Sequence, residues 1–273
     1  MAKVWFITGT SRGFGREFAL AALGRGDKVA ATARDLSTLD DLVERFGDAI
    51  LPIELDVTDR AAVFAGVEKA FDQFGRLDVV VNNAGYGLFG MAEELSEEQF
   101  RHQVDVNLFG VFHVVQAVLP KLRAQGSGHI VQISTVGAIG AFAGISAYNA
   151  SKWALEGFSE ALAQEVAGFG IKVTMIEPGA YATDWAGPSA IGAAPLPAYD
   201  GVRAAQAEGF SEEATRPADP AAGAQVLLKI VDADNPPLRL LFGSFPVEFV
   251  QHIYQQRLTE WDAWKELSIQ ANG

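Results

Sequence analysis

Short apolar runs alternate with longer amphipathic stretches along most of the chain. The runs Val4–Thr8, Lys28–Thr32, Ile50–Leu55, Val79–Val81, Gly128–Ser134, Lys172–Glu177 and Arg239–Phe242 have the length and residue types of strands. Between them, apolar positions recur at helical spacing near 14–24, 37–46, 60–74, 96–124, 148–168 and 220–231. Pro220 directly after Asp219 fits a capped helix start with proline at the first helical position. Alternation of this kind builds βαβ units, whose helices cover both faces of a parallel sheet. The pattern predicts an α/β fold with a doubly wound, seven-stranded parallel sheet.

Two stretches break the alternation. Residues 186–218 are rich in Ala, Gly and Pro and lack a clear period. Loops of that length inside a compact domain are lids or binding loops, otherwise disordered. Residues 244–273 read as a helical tail whose Trp261 and Trp264 either pack on the body or meet a second copy.

Composition narrows the picture. A length of 273 residues suits one domain spanning 1–273. The net charge of −13, from 21 basic and 34 acidic residues, argues against a nucleic-acid partner or an anionic membrane surface. No apolar run approaches the ~20 residues that span a bilayer, and Val4 follows the start too closely for a leader. The chain has no cysteine, which excludes thiol catalysis and is compatible with a reducing cytoplasm. His102, His113, His129 and His252 lack ligand spacing, so no metal site is expected.

Two motifs carry chemistry. Tyr148 and Lys152 stand four apart on a helical segment, which puts phenol and ammonium on one face. A phenol titrates near ~10, and a neighbouring cation that lowered it by about 3 units would supply roughly 4 kcal/mol. The pair is a candidate acid/base, although the same spacing also occurs for purely structural reasons. The second motif is the run Thr8-Gly9-Thr10-Ser11-Arg12-Gly13-Phe14-Gly15, between an apolar strand and a helical pattern. Strand, glycine turn and helix in that order form the anion-binding unit of dinucleotide proteins. Gly9 permits the tight turn, and Gly13 and Gly15 let a pyrophosphate approach.

Taken with Asn82-Asn83-Ala84-Gly85, Asn107 and Pro178-Gly179, these motifs resemble, in order and spacing, those of the short-chain dehydrogenases/reductases, specifically their compact single-domain branch. The resemblance runs from about residue 3 to 185. It implies a Rossmann-type fold and an oxidoreductase that interconverts a carbonyl and a secondary alcohol. Tyr148 would exchange the proton, Lys152 would lower the tyrosine pKa and hold the nicotinamide ribose, and Asn107 would hold a water in the proton relay. The branch usually has serine thirteen residues before the tyrosine, where this chain has Thr135. Threonine has the same donor and acceptor inventory, so Thr135 is expected to orient the substrate oxygen. Ser134 is the reserve should the strand end carry a bulge.

For the cofactor, the resemblance places Gly9, Ser11, Arg12, Gly13, Phe14 and Gly15 around the pyrophosphate, Asp56 and Val57 at the adenine, and Asn83, Ala84 and Gly85 at its ribose. Pro178 and Gly179 lead to Thr183 at the carboxamide. Sites that prefer NAD carry an acid at the end of the second strand. Here Ala33 occupies that place and Arg34 follows, with Asp35 close by. A guanidinium suits a 2′-phosphate, so NADP(H) is expected over NAD(H), with Arg12 as a second cation. Tyr86, Phe89, Phe142, Tyr181 and Trp185 point to a hydrophobic or aromatic substrate. The family's pairing of the helices at 96–124 and 148–168, where Trp153, Leu155, Phe158 and Leu162 offer an apolar face, implies a homodimer or homotetramer. Two other readings stay open: a non-catalytic cofactor sensor, and an epimerase or dehydratase on the same scaffold.

Overall fold

The computed structural model describes residues 2–187, 190–209 and 216–272. Seven strands form one sheet: β1 Val4–Ile7, β2 Lys28–Ala33, β3 Ile50–Glu54, β4 Val79–Asn82, β6 Gly128–Ile133, β7 Ile171–Pro178 and β9 Arg239–Phe242. Their order is β3-β2-β1-β4-β6-β7-β9, and every pairing is parallel. The predicted doubly wound sheet is therefore the observed one. The strand order reverses between β1 and β4, which opens a crevice beyond their carboxyl ends.

Both faces of the sheet are covered. Trp5 and Ile7 of β1 pack with Phe18 and Leu23 of α1 (Gly13–Gly24), Leu42 of α2 (Asp40–Phe46) and Leu227 of α8 (Pro220–Asp232). Val4 and Phe6 face the opposite layer with Val67 of α3 (Arg60–Phe74), Val114 of α5 (Gly110–Gln125) and Leu155 of α6 (Ser146–Val166). Strands buried on both faces read as unbroken apolar runs, which is why β1 and β4 are so plain in the sequence. The helix starts follow local rules as well. Asp59 accepts from Ala62 N, Ser96 forms a capping box with Gln99 ahead of α4 (Glu97–Val104), and Asp219 accepts from Ala221 N.

The structure departs from the pattern in four places. The single helix expected over 96–124 is two, α4 and α5, joined by a π-helical turn at Asp105–Phe109. Within 186–218, strand β8 (Ile191–Gly192) pairs in parallel with β5 (Leu88–Phe89), and α7 spans Asp200–Gly209. Residues 188–189 and 210–215 of that stretch lie outside the described residues. The tail forms α9 (Ser244–Ala263) and α10 (Lys265–Gln270), and Trp261 and Trp264 are each 61% exposed instead of packed on the body. Finally, Leu155 and Leu162 of α6 are buried in the core while Trp153 is exposed, so the four apolar residues do not share one outward face. No helix among the described residues is long and apolar enough to cross a membrane.

Candidate active site

The crevice at the strand ends is a cleft of about 1110 Å³. One end is built by the glycine turn between β1 and α1. Gly9 and Gly13 have φ of 70° and 57°, in the left-handed region that side chains avoid. Gly15 has no room for a side chain: a Cβ there would lie 2.2 Å from Gly9 O and 2.4 Å from Asn83 Nδ2. Asn83 ties this turn to β4 by donating from Nδ2 to Thr8 O (2.9 Å) and Gly9 O (3.0 Å). Thr8 Oγ1 accepts from the N–H groups of Asn83 (2.9 Å) and Ala84 (3.0 Å). The turn is thus a close-packed backbone cradle at a helix start, a shape that fits a pyrophosphate.

The remaining cofactor candidates surround this cradle. Ser11, Arg12, Phe14, Arg34, Asp56, Val57, Gly85, Pro178, Gly179 and Thr183 all line the cleft. The ring of Phe14 stacks on Phe18 (5.3 Å) and tilts against Tyr181 (4.6 Å). Arg34 is exposed at the edge of the cleft. The neighbouring Asp35 faces elsewhere: its carboxylate accepts from Ser37 N (3.0 Å) and Ser37 Oγ (2.7 Å), which holds its pKa below the usual carboxylate value. Arg12 pairs with Asp184 at 3.7 Å. Asp56 is held by Thr58, through N at 2.9 Å and Oγ1 at 2.7 Å.

At the floor of the cleft α6 presents Tyr148 and Lys152, both 6% exposed. The Tyr148 hydroxyl and the Thr135 side chain face each other on the cleft floor. Thr135 Oγ1 accepts from Gly137 N at 3.1 Å, which fixes the hydroxyl just past the end of β6. Ser134 also lines the cleft, and its buried Oγ has no partner. Lys152 Nζ donates to Ile133 O at 2.7 Å and lies 6.0 Å from the centre of the Tyr148 ring. Burial pulls Lys152 down to about 8, opposed by Glu156. Burial also pushes the phenol of Tyr148 above its ordinary value, opposed by the Thr135 side chain. The downward shift expected from Lys152 does not appear among the influences on the phenol; burial dominates.

Asn107 sits in the π turn and is fully buried. Its Oδ1 accepts from Tyr86 N, while Nδ2 donates to Tyr86 O and to Ser151 Oγ, each at 3.2 Å. Ser151 is the residue before Lys152, so the π turn joins α5 to the floor of the cleft through one amide. A π turn adds a residue to the helical repeat and re-aims the side chain it carries.

At the other end of the cleft, sequence reasoning named the aromatic residues and the covering stretch 186–218 but not the side chains that tie them down. Glu94, with a side chain only 1% exposed, accepts from Met91 N (2.7 Å) and Leu196 N (2.7 Å) and pairs with Arg203 of α7. The hydrogen bond from Leu196 is the main reason its carboxyl falls to about 2. Tyr199 donates to Glu93 at 2.7 Å, and Gln206 donates to Ala143 O at 3.0 Å. Apart from the local Met91 contact, these bonds join positions about sixty to about a hundred and ten residues apart, and the local signal is the helical spacing of Arg203 with Gln206. The aromatic candidates Tyr86, Phe89, Phe142, Tyr181 and Trp185 line the cleft, and Trp185 packs 4.8 Å from Tyr148 and 5.2 Å from Phe89.

Sheet order, switch-point cleft and glycine cradle define a Rossmann-type α/β protein. The short chain dehydrogenase family profile matches residues 3–191, and the chain belongs to this family of oxidoreductases. It is 44% identical over 271 residues to oxidoreductase BOA17 of Botryotinia fuckeliana (strain B05.10), covering 98% of this chain and 99% of that one. A short-chain dehydrogenase structure from Streptomyces avermitilis superposes with a TM-score of 0.91 at 40% identity, over 99% of this chain and 98% of the other. An alcohol dehydrogenase from Thermococcus sibiricus, complexed with 5-hydroxy-NADP, gives 0.74 at 27% identity over 89% and 96%. A 3-ketoacyl-(acyl-carrier-protein) reductase from Brucella melitensis, complexed with NADH, gives 0.75 at 27% identity over 88% and 96%.

Proposed function

We propose that the protein is an NADP(H)-dependent oxidoreductase that interconverts a carbonyl and a secondary alcohol on a hydrophobic or aromatic substrate. The observation that carries this reading is the pair of hydroxyls, Tyr148 and Thr135, lining the floor of a cleft whose far end is the glycine cradle. When bound, the nicotinamide supplies or accepts a hydride. The two hydroxyls polarise the carbonyl oxygen, and Tyr148 moves the proton at that oxygen. Lys152 contributes a positive charge one helical turn away and holds ribose hydroxyls. Asn107, tied to Ser151, keeps α6 and the π turn in register.

Gly9, Gly13 and Gly15 leave backbone space for the pyrophosphate, with Ser11 and Phe14 beside it. Asp56 and Val57 hold the adenine, Asn83, Ala84 and Gly85 its ribose, and Pro178, Gly179 and Thr183 the carboxamide. The preference for NADP(H) is supported by Arg34 at the cleft edge and by Asp35 being engaged with Ser37. Arg12 is the second cation. Tyr86, Phe89, Phe142, Tyr181 and Trp185 make the substrate end apolar. Exposed Phe109 and Trp153, on the helical segments that pair in relatives of this family, support a homodimer or homotetramer. The cysteine-free chain is compatible with the cytoplasm.

The test is nicotinamide absorbance with NADPH and, separately, NADH against a panel of aromatic, aliphatic and steroid ketones. Ketone-dependent oxidation of NADPH, faster than that of NADH, is expected. Turnover confined to NADH would overturn the cofactor assignment, and failure of both cofactors to bind would overturn the whole reading.

A further inference from the structure

One helical turn beyond Lys152, the carboxyl of Glu156 on α6 is buried beside that of Glu177 on β7, both against the same guanidinium. The one guanidinium at this place is shared. Arg239 of β9 donates from Nε to Glu156 Oε2 (3.0 Å), approaches Glu177 Oε1 at 3.5 Å, and spends its Nη2 on Glu160 (2.7 Å). Oε1 of Glu156 and Oε1 of Glu177 are both buried without a donor. Two buried carboxylates gathered on one divided cation do not both ionise, and a proton between them would provide the missing donor. The charges acting on the pair are Lys152 and Glu160 on α6, and Arg239 on β9. A buried polar atom continues toward the cleft. Ser134 N donates to Ile176 O, next to Glu177, while the Ser134 hydroxyl is buried, unpartnered and at the cleft wall.

We propose that Glu156 and Glu177 hold one shared proton and act as a positioning pair for Lys152, their single remaining negative charge keeping the Lys152 ammonium charged at the cleft. The use of that charge rests on the function proposed above; the shared proton does not. Burial and the neighbouring Glu156 raise Glu177 to about 8, against the pull of Arg239, and burial lowers Lys152 to about 8 against the pull of Glu156. The two titrations therefore meet. As the pH rises, the pair gives up its proton and gains a second negative charge just where Lys152 would lose its own, so the ammonium persists to higher pH than burial alone allows. Glu156 and Glu177 touch no reacting atom, and their part is played through Lys152.

The experiment uses the full chain with no ligand added. Infrared difference spectra across about pH 6 to 9 read the protonated carboxyl. Carbon NMR of lysine labelled at Cε, assigned with Lys152→Met, reads the charge of Lys152. A carboxylic-acid band that disappears near pH 8 is expected, and it should be missing in Glu177→Gln. The Lys152 titration should fall by about one pH unit in Glu156→Gln and recover in part in Glu156→Asp, while Glu160→Gln leaves it in place. The absence of a titrating acid band would overturn the shared proton. An unmoved Lys152 titration in Glu156→Gln, or in Glu156→Met should the glutamine variant not fold, would overturn the positioning role. Neither reading depends on cofactor or turnover, so a failed ketone screen would leave both decided.

Discussion

The two ends of the cleft are built from different materials. At the glycine cradle, backbone meets backbone through short side chains: Thr8 and Asn83 lock the ends of β1 and β4 together, and Gly15 leaves no space for another atom. At the substrate end, long side chains hold separate segments together, as Glu94 holds Leu196 and Arg203, and Gln206 holds Ala143 O. The first construction suits a ligand whose shape is constant, because any change in it displaces backbone. The second suits one that varies, because a tie between side chains is remade by substitution without moving the sheet. A scaffold that keeps one end rigid and the other adjustable can change substrate and retain its cofactor.

The largest expected effect tests the floor shared by both ends. Tyr148→Phe keeps the aromatic packing against Trp185 but removes the proton donor. Turnover should drop by about 10²-fold or more while NADPH affinity holds, as read by steady-state kinetics and fluorescence titration. Activity retained in that variant refutes the assigned role.

Gly15→Ala strikes the rigid end. Its Cβ must displace Gly9 O or Asn83, so a stability loss of about 1–3 kcal/mol and loss of NADPH binding are expected together in thermal unfolding and titration. Arg34→Ala is smaller and selective. A charge-assisted contact to a 2′-phosphate is worth about 1.5–3 kcal/mol, so NADPH should weaken by about 10- to 100-fold and NADH by less than about 2-fold. Equal losses for both cofactors would remove Arg34 from that role.

The smallest effect belongs to the adjustable end. Glu94→Gln should raise KM for the ketone several-fold and leave NADPH affinity unchanged; a parallel loss in both would show that the two ends are not independent. Its acid dependence has a definite sign. The carboxyl of Glu94 is lowered from 4.5 to about 2. Its contribution is therefore complete above about pH 4.5 and is lost as the pH falls through about 2. The Glu94→Gln protein should lack this acid step in melting temperature.

Much of the fold was legible because the inner sheet strands are runs buried on both sides. The edges of β2 and β4 moved by a single residue, and β9 did not move. Local rules also exposed the glycine cradle and the Tyr148–Lys152 pair, each of which lies within eight consecutive residues. What stayed hidden depends on contacts that no local pattern records. Strand β8 exists because Ile191 pairs with Leu88. Helix α7 begins after an Ala- and Pro-rich stretch that hides its period. Leu155 and Trp153 could not be told apart as inward and outward without knowing which side of α6 the sheet occupies. The environment of Tyr148 is hidden for a related reason: sequence shows the neighbouring charge of Lys152 but not the depth of burial of the phenol.

The π turn at Asp105–Phe109 has a consequence for how this chain tolerates change in length. It is one residue wider than an α-helical turn, and each helical residue advances the helix by ~100°. Deleting a single residue there would let α4 and α5 fuse into one regular rod without breaking the hydrophobic period of either half. Asn107 would then swing about a quarter turn away from Ser151 and Tyr86, and the link to Lys152 would be cut while the domain kept its shape. Length at this one site acts as a reading frame for the active site, and a frame slip would leave an intact fold with its relay out of phase.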